Sequence, residues 1–168
     1  MQALMLRHFI NYHIAENATL WLYVEQLTPA QFVADIAYAH GSIRNQLVHM
    51  LSVDATWLAG LCGQPIPDPL DPTQCVSPTT LKVQWDAVAQ QLQTYVMTLS
   101  DADALTQPLA DEDADLYVWQ VLLQLVNHGT DHRAQLLRCL HDAGIKTVSQ
   151  DYIFYAYDVP WLPHDATL

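Results

Sequence analysis

Two histidines four residues apart, His128 and His132, interrupt the apolar stripe of a long helical segment that starts near Leu116 and closes at Gly144. The stripe reads Val121, Leu125, His128, His132, Leu136 and Cys139, in steps of three and four residues. That spacing is the core-facing line of an amphipathic helix, and residues i and i+4 stand one above the other on it. A buried polar ring needs a partner. Any fold that accepts this helix must therefore supply one to two imidazoles at once. Two imidazoles so placed can share a metal ion, as in the helical HExxH motif, although the glutamate of that motif is missing here.

Three more segments carry helical periodicity. From Gln2 to Gln26, Ile10, Ile14, Asn17, Trp21 and Val24 share one side, and Thr28-Pro29 stops the run. Asn17 on that stripe, with Tyr12 and His13 one turn away, is read either as a solvated or locally bonded asparagine or as a polar residue pointing into a pocket of a bundle core. Ser42 is an expected N-cap for a helix from Ile43 to Leu61 that carries Leu47, Met50, Leu51, Val53, Trp57 and Leu58 and places His49 in its middle. Thr79 to Ser100 holds the cleanest stripe, Leu81, Trp85, Val88, Leu92, Val96 and Leu99, and is read as a packing helix. Gly129 sits inside the fourth segment, at a cost of about 1 kcal/mol relative to alanine, and is expected to let another backbone approach. A short fifth helix is expected in Asp151 to Trp161.

The connections differ in kind. The run between Gly63 and Pro78 holds five of the nine prolines and reads as a stiff surface strap. Asp101 to Asp115 is an acidic loop without the glycine and closing glutamate of a calcium loop. Four amphipathic segments without alternating strands predict an all-α four-helix bundle, one domain over residues 1–168. Its connections exceed the two to eight residues of simple hairpins, so crossover topology is expected.

Six Lys and Arg against eighteen Asp and Glu leave a formal charge of -12. Such a surface neither tracks phosphates nor is drawn to anionic membranes, so nucleic acid and membrane are excluded as partners. The N-terminal stretch lacks the features of a signal peptide, and no apolar run is long enough to span a bilayer. Three cysteines without CxxC spacing read as reduced thiols. The expected setting is cytoplasmic.

In a bundle, His49 in the middle of the second segment and His128 and His132 in the middle of the fourth converge if those helices are neighbours. Three neutral imidazoles suit zinc, nickel, copper or ferrous iron and leave a coordination position for water or substrate. Asp131, three residues after His128, is a carboxylate able to orient a ring or a bound water. Arg133 points about 100° away from His132 and is read as a surface or interface residue. His8, His13, His40, His141 and His164 are read as ordinary.

The segments NHGTDHRAQ (Asn127 to Gln135), IRNQLVHMLSVDATWLAGLCG (Ile43 to Gly63) and YHIAEN (Tyr12 to Asn17) resemble the DinB/YfiT-like family of metal-binding four-helix bundles. The resemblance runs through nearly the whole chain, including a closing helix like DYIFYAY. It implies metal ligands at His49, His128 and His132, zinc or nickel as the ion, and a homodimer. It also implies kinship with S-transferases and isomerases that use low-molecular-weight thiols such as bacillithiol and mycothiol. Many relatives carry a second histidine where this chain has Asp131, and a glycine where it has Ala134. Neither is a ligand position. The expected function is a metal-dependent transferase or hydrolase in which the ion activates a thiol cofactor or water for reaction with a small molecule. Tyr12 and Asn17 are the residues expected near the open position, and with Asp131 they are the candidates for a catalytic role. The rival expectation is a non-catalytic, dimeric, stress-related protein with a structural or opportunistic metal.

Overall fold

The computed structural model describes residues 1–75 and 77–159. Six helices follow one another: α1 (Gln2–Val24), α2 (Pro29–Val33), α3 (Ile43–Leu61), α4 (Pro78–Thr98), α5 (Val118–Asp142) and α6 (Tyr152–Asp158). Among the described residues there is no strand, and the expected all-α bundle is what forms. His164 and the last residues of the expected domain lie outside the described residues.

Local chemistry explains most helix ends. The Ser42 hydroxyl accepts from the Asn45 amide at 3.0 Å, as its position predicted, and Ser77 does the same for Thr80. Gly144, at φ +85°, takes the left-handed turn after α5. Where a plain connection was expected, Thr28 and Gln31 form a reciprocal capping box that starts α2 on Pro29. The proline strap is not wholly irregular either. Its Asp71 caps a single 3₁₀ turn at Pro72–Gln74.

The four long helices pack in a ring in which α1 and α3 each touch both α4 and α5. Helices α1 and α3 thus face each other across one diagonal. Two apolar clusters give the direction of each helix. One joins Trp21, Leu47, Leu81 and Leu140, from the end of α1, the starts of α3 and α4, and the end of α5. The other joins Ile10, Leu58, Val96 and Val121, from the opposite ends. Helices α1 and α5 therefore run one way, and α3 and α4 the other. The neighbours α3 and α4 are parallel, so the chain must return along the bundle between them. Helix α3 has 19 residues, a length of about 28 Å, and an extended strap of this size spans that with ease. The expected crossover is real, and the prolines keep it extended.

Between the two clusters lies a polar layer of His13 and Asn17 on α1, Asp54 on α3 and Arg133 on α5, all buried. Outside the ring, α6 lies on the first half of α1. Tyr152 and Tyr155 pack at 5.2 and 5.4 Å from the Tyr12 ring, and Tyr152 bonds His8 Nε2 at 3.0 Å. No helix among the described residues is long and apolar enough to cross a membrane.

Candidate metal centre

Because α3 and α5 are neighbours, their histidines meet. The His49 and His128 Nε2 atoms lie 3.1 Å apart. Ring centroids are 4.7 Å apart for His49 and His132, and 4.2 Å for His128 and His132. A fourth imidazole joins them. His40, in the loop before α3, stacks on His49 with centroids 4.0 Å apart and planes 21° apart, and lies 5.4 Å from His132. His40, His49 and His132 each present a ring nitrogen, all within 4.8 Å of one another, a spacing that could hold a metal ion. The sequence reading treated His40 as ordinary. It lies outside any periodic segment, so only the closeness of the loop to the first turns of α3 reveals it.

The surrounding polar groups favour donor nitrogens. Gln46, buried on α3, reaches His132 Nδ1 with its side-chain amide and also donates to Gln135 Oε1 at 2.8 Å. Gln135 Oε1 itself lies 3.2 Å from His132 Nδ1. His132 thus has both a donor and an acceptor at Nδ1, and either tautomer is served. Asp131 does not touch a ring. It accepts from Gln135 Nε2 at 3.0 Å, and so acts on His132 at one remove.

Burial, followed by the neighbouring imidazoles His40 and His132, pushes the pKa of His49 from the ordinary 6.5 down to about 4. Burial and then His132 and His49 do the same to His128, against a smaller opposing pull from Asp54. Both rings are neutral at pH 7, the form that binds metal. A depressed histidine pKa also has a sign for stability. Below 6.5 the unfolded chain takes up protons that the fold refuses, so stability falls as pH drops towards 4 and levels off below. Metal-free protein is expected to melt at a lower temperature at pH 4.5 than at pH 7, and a His49→Gln/His128→Gln variant should show a shallower decline. Equal slopes by calorimetry would refute the assignment.

The sequence profile of the DinB family matches residues 1–161. The chain belongs to the DinB family. It is also similar to the protein named "Protein DinB" of Bacillus subtilis (strain 168), at 23% identity over 155 residues, a match covering 87% of this chain and 90% of that relative.

In this DinB-family bundle Asn17 sits in the buried polar layer, and Tyr12 belongs to the neighbouring apolar cluster. Arg133 is 1% exposed, so the surface reading is wrong. Helix α5 buries two faces: one carries His128 and His132 towards α3, and the other turns Gly129 and Arg133 towards α1. Arg133 Nη1 donates to Asn17 Oδ1 at 3.0 Å and to His13 Nδ1 at 3.2 Å. An arginine can only donate, so His13 Nδ1 accepts there, while His13 Nε2 lies 3.0 Å from Asp54 Oδ2 and 3.1 Å from Asn17 Nδ2. The guanidinium also lies over the Tyr12 ring, 5.5 Å from its centroid, and the Tyr12 hydroxyl donates to the Gln150 carbonyl at 3.1 Å. Tyr12 and Asn17 are thus committed to partners of their own. What approaches Gly129 is the His13 ring, where a backbone was expected. Asp54 escaped the sequence reading, although its place between Leu51 and Leu58 marks it as a carboxylate on the core line. Its Oδ1 and His128 Nδ1 are both buried without a partner among the described residues.

Proposed function

We propose that the chain is a metal-dependent enzyme in which His49, His128 and His132 hold one divalent ion, zinc or nickel, for transfer or hydrolysis on a small molecule. The observation that carries this reading is the meeting of imidazoles from α3 and α5, with no carboxylate bonded to the rings among the described residues. An all-nitrogen donor set suits a borderline metal and not magnesium or calcium. The lowered pKa values of His49 and His128 keep their lone pairs free at neutral pH. The buried His128 Nδ1 finds no hydrogen-bond partner among the described residues, an unmet need that a bound water or an ion would fill. When bound, such an ion lowers the pKa of a water or thiol at its open position, which makes it a nucleophile near pH 7.

The residues around the ion have simpler tasks. Gln46 and Gln135 fix the His132 ring, and Asp131 fixes Gln135. An apolar cavity of about 510 Å³ begins within one turn of His49 along α3, under the proline strap. Val53, Trp57, Ile66, Leu70 and Val88 line it. The histidines form none of its wall, so it is offered as a neighbour that takes the apolar part of a substrate. A low-molecular-weight thiol as co-substrate, a homodimer and a cytoplasmic setting belong to the same reading.

The test is elemental analysis of untagged protein, purified without nickel resin or chelator, beside the His128→Ala/His132→Ala variant. About one ion per chain is expected, lost in the variant while the helical spectrum is retained. Metal-free wild-type protein would end the proposal. Full occupancy with no turnover of electrophiles by added thiols would favour a structural metal.

A further inference from the structure

His40 is the histidine that helical periodicity does not account for, and its loop is built to hold it. The His40 amide donates to Gln46 Oε1 at 3.3 Å, and its carbonyl accepts from Asn45 Nδ2 at 3.1 Å. The residues on either side are both left-handed, Ala39 at φ +51° and Gly41 at φ +83°. Glycine takes that conformation freely, but alanine does so at a cost, which persists only where the surroundings over-determine it. Ile36 completes the turn by donating to the Gly41 carbonyl at 2.8 Å. Gln46, which fixes the His40 backbone, is also the residue that bonds His132. Loop and cluster are therefore tied through one side chain.

Resting on the metal reading above, we propose that His40 is a fourth, displaceable ligand that closes the coordination position left open by His49, His128 and His132. Its nitrogen already lies within 4.8 Å of those of His49 and His132. Donors at about 2.0–2.1 Å from a tetrahedral ion stand somewhat closer than that, a difference that rotation of an exposed ring closes. The other three ligands stand on packed helices and cannot withdraw without unpacking them. His40 is exposed on a loop and can. The resting site is then four-nitrogen and shut, and an incoming thiol or other anionic ligand takes the place of His40. The loop Ala34–Ser42 becomes the element that sets how readily the ion exchanges ligands.

The rival explanation is that His40 merely stacks on His49 and shields it from water. The variant that separates the two is His40→Phe, which keeps a stacking ring and removes the nitrogen. Wild type, His40→Phe, and His141→Ala as a control for loss of a histidine elsewhere are loaded with Co(II) and titrated against a chelator. The expected result is a loss of affinity of at least about tenfold in His40→Phe, since even residues behind metal ligands are worth that much. The visible spectrum of the variant should also respond to azide at concentrations that leave wild type unchanged. Unchanged affinity and azide response in His40→Phe would overturn the fourth ligand while leaving the three-histidine site standing. Absence of Co(II) binding by wild type would overturn both.

Discussion

Arg133→Ala is expected to lower the melting temperature by on the order of 10 °C, more than loss of any exposed charge in this acidic chain. The guanidinium is 1% exposed and forms the hub between α1 and α5. It serves Asn17 Oδ1, His13 Nδ1 and, through Nη2, Thr130 Oγ1 at 3.2 Å. Its removal leaves two buried acceptors without a donor, each costing about 1–3 kcal/mol, and a void beside the Tyr12 ring. Together the two orphaned acceptors come to about 2–6 kcal/mol, and about 2–4 °C accompanies each kcal/mol in a domain of this size. Lysine should restore little, because one ammonium cannot reproduce the planar fork. Thermal unfolding of the two variants by circular dichroism measures this directly. A shift below about 3 °C for Arg133→Ala would mean that the network is incidental to stability.

Gly129→Ala is expected to destabilise as well, although alanine is the better helix former by about 1 kcal/mol. A Cβ on Gly129 would fall 2.5 Å from His13 Nδ1 and 2.9 Å from Arg133 Nη1. Neither neighbour can step aside cheaply, since His13 is held by Asp54 on one side and by Arg133 on the other. Overpacking of this kind costs about 1–3 kcal/mol, and the displaced ring adds the loss of a buried hydrogen bond. The net expectation is a loss of about 2 kcal/mol, read as a lower urea midpoint with an unchanged slope. An alanine variant as stable as wild type would show that the α1–α5 contact is looser than the structure has it. His128 precedes Gly129 by one residue, so measured metal affinity in the same variant reports how firmly this packing holds the α5 ligands.

The helical segments could be read from residues close together in the chain. Ser42 followed by an apolar run marks α3, Gly144 ends α5, and His128 with His132 on a stripe of Val121, Leu125 and Leu136 shows which side faces inward. His49 could be proposed because a pair of buried imidazoles calls for a third. The polar layer was harder to see. Arg133 lies about 100° from His132 on the helix, which suggests solvent when a helix is imagined with one buried face. Helix α5 has two buried faces because it touches both α1 and α3. Asp54 carries no local sign of its role either, because its partner His13 stands on another helix 41 residues away.

Periodicity, capping residues and ligand chemistry act over three or four residues, and so α1, α3, α4, α5 and α6, one inward side of each long helix and the pair His128 and His132 are encoded where they stand. The neighbours of those sides are not. His13 meets Arg133 across 120 residues, and Gln46 meets His132 across 86, encounters that depend on a crossover strap placing α3 parallel to α4. His40 reaches His49 only because a left-handed turn at Ala39 and Gly41 folds the loop back on its own helix. No local preference specifies such meetings. They follow from the packing of four helices around two apolar clusters, which brings the polar groups between those clusters within bonding distance.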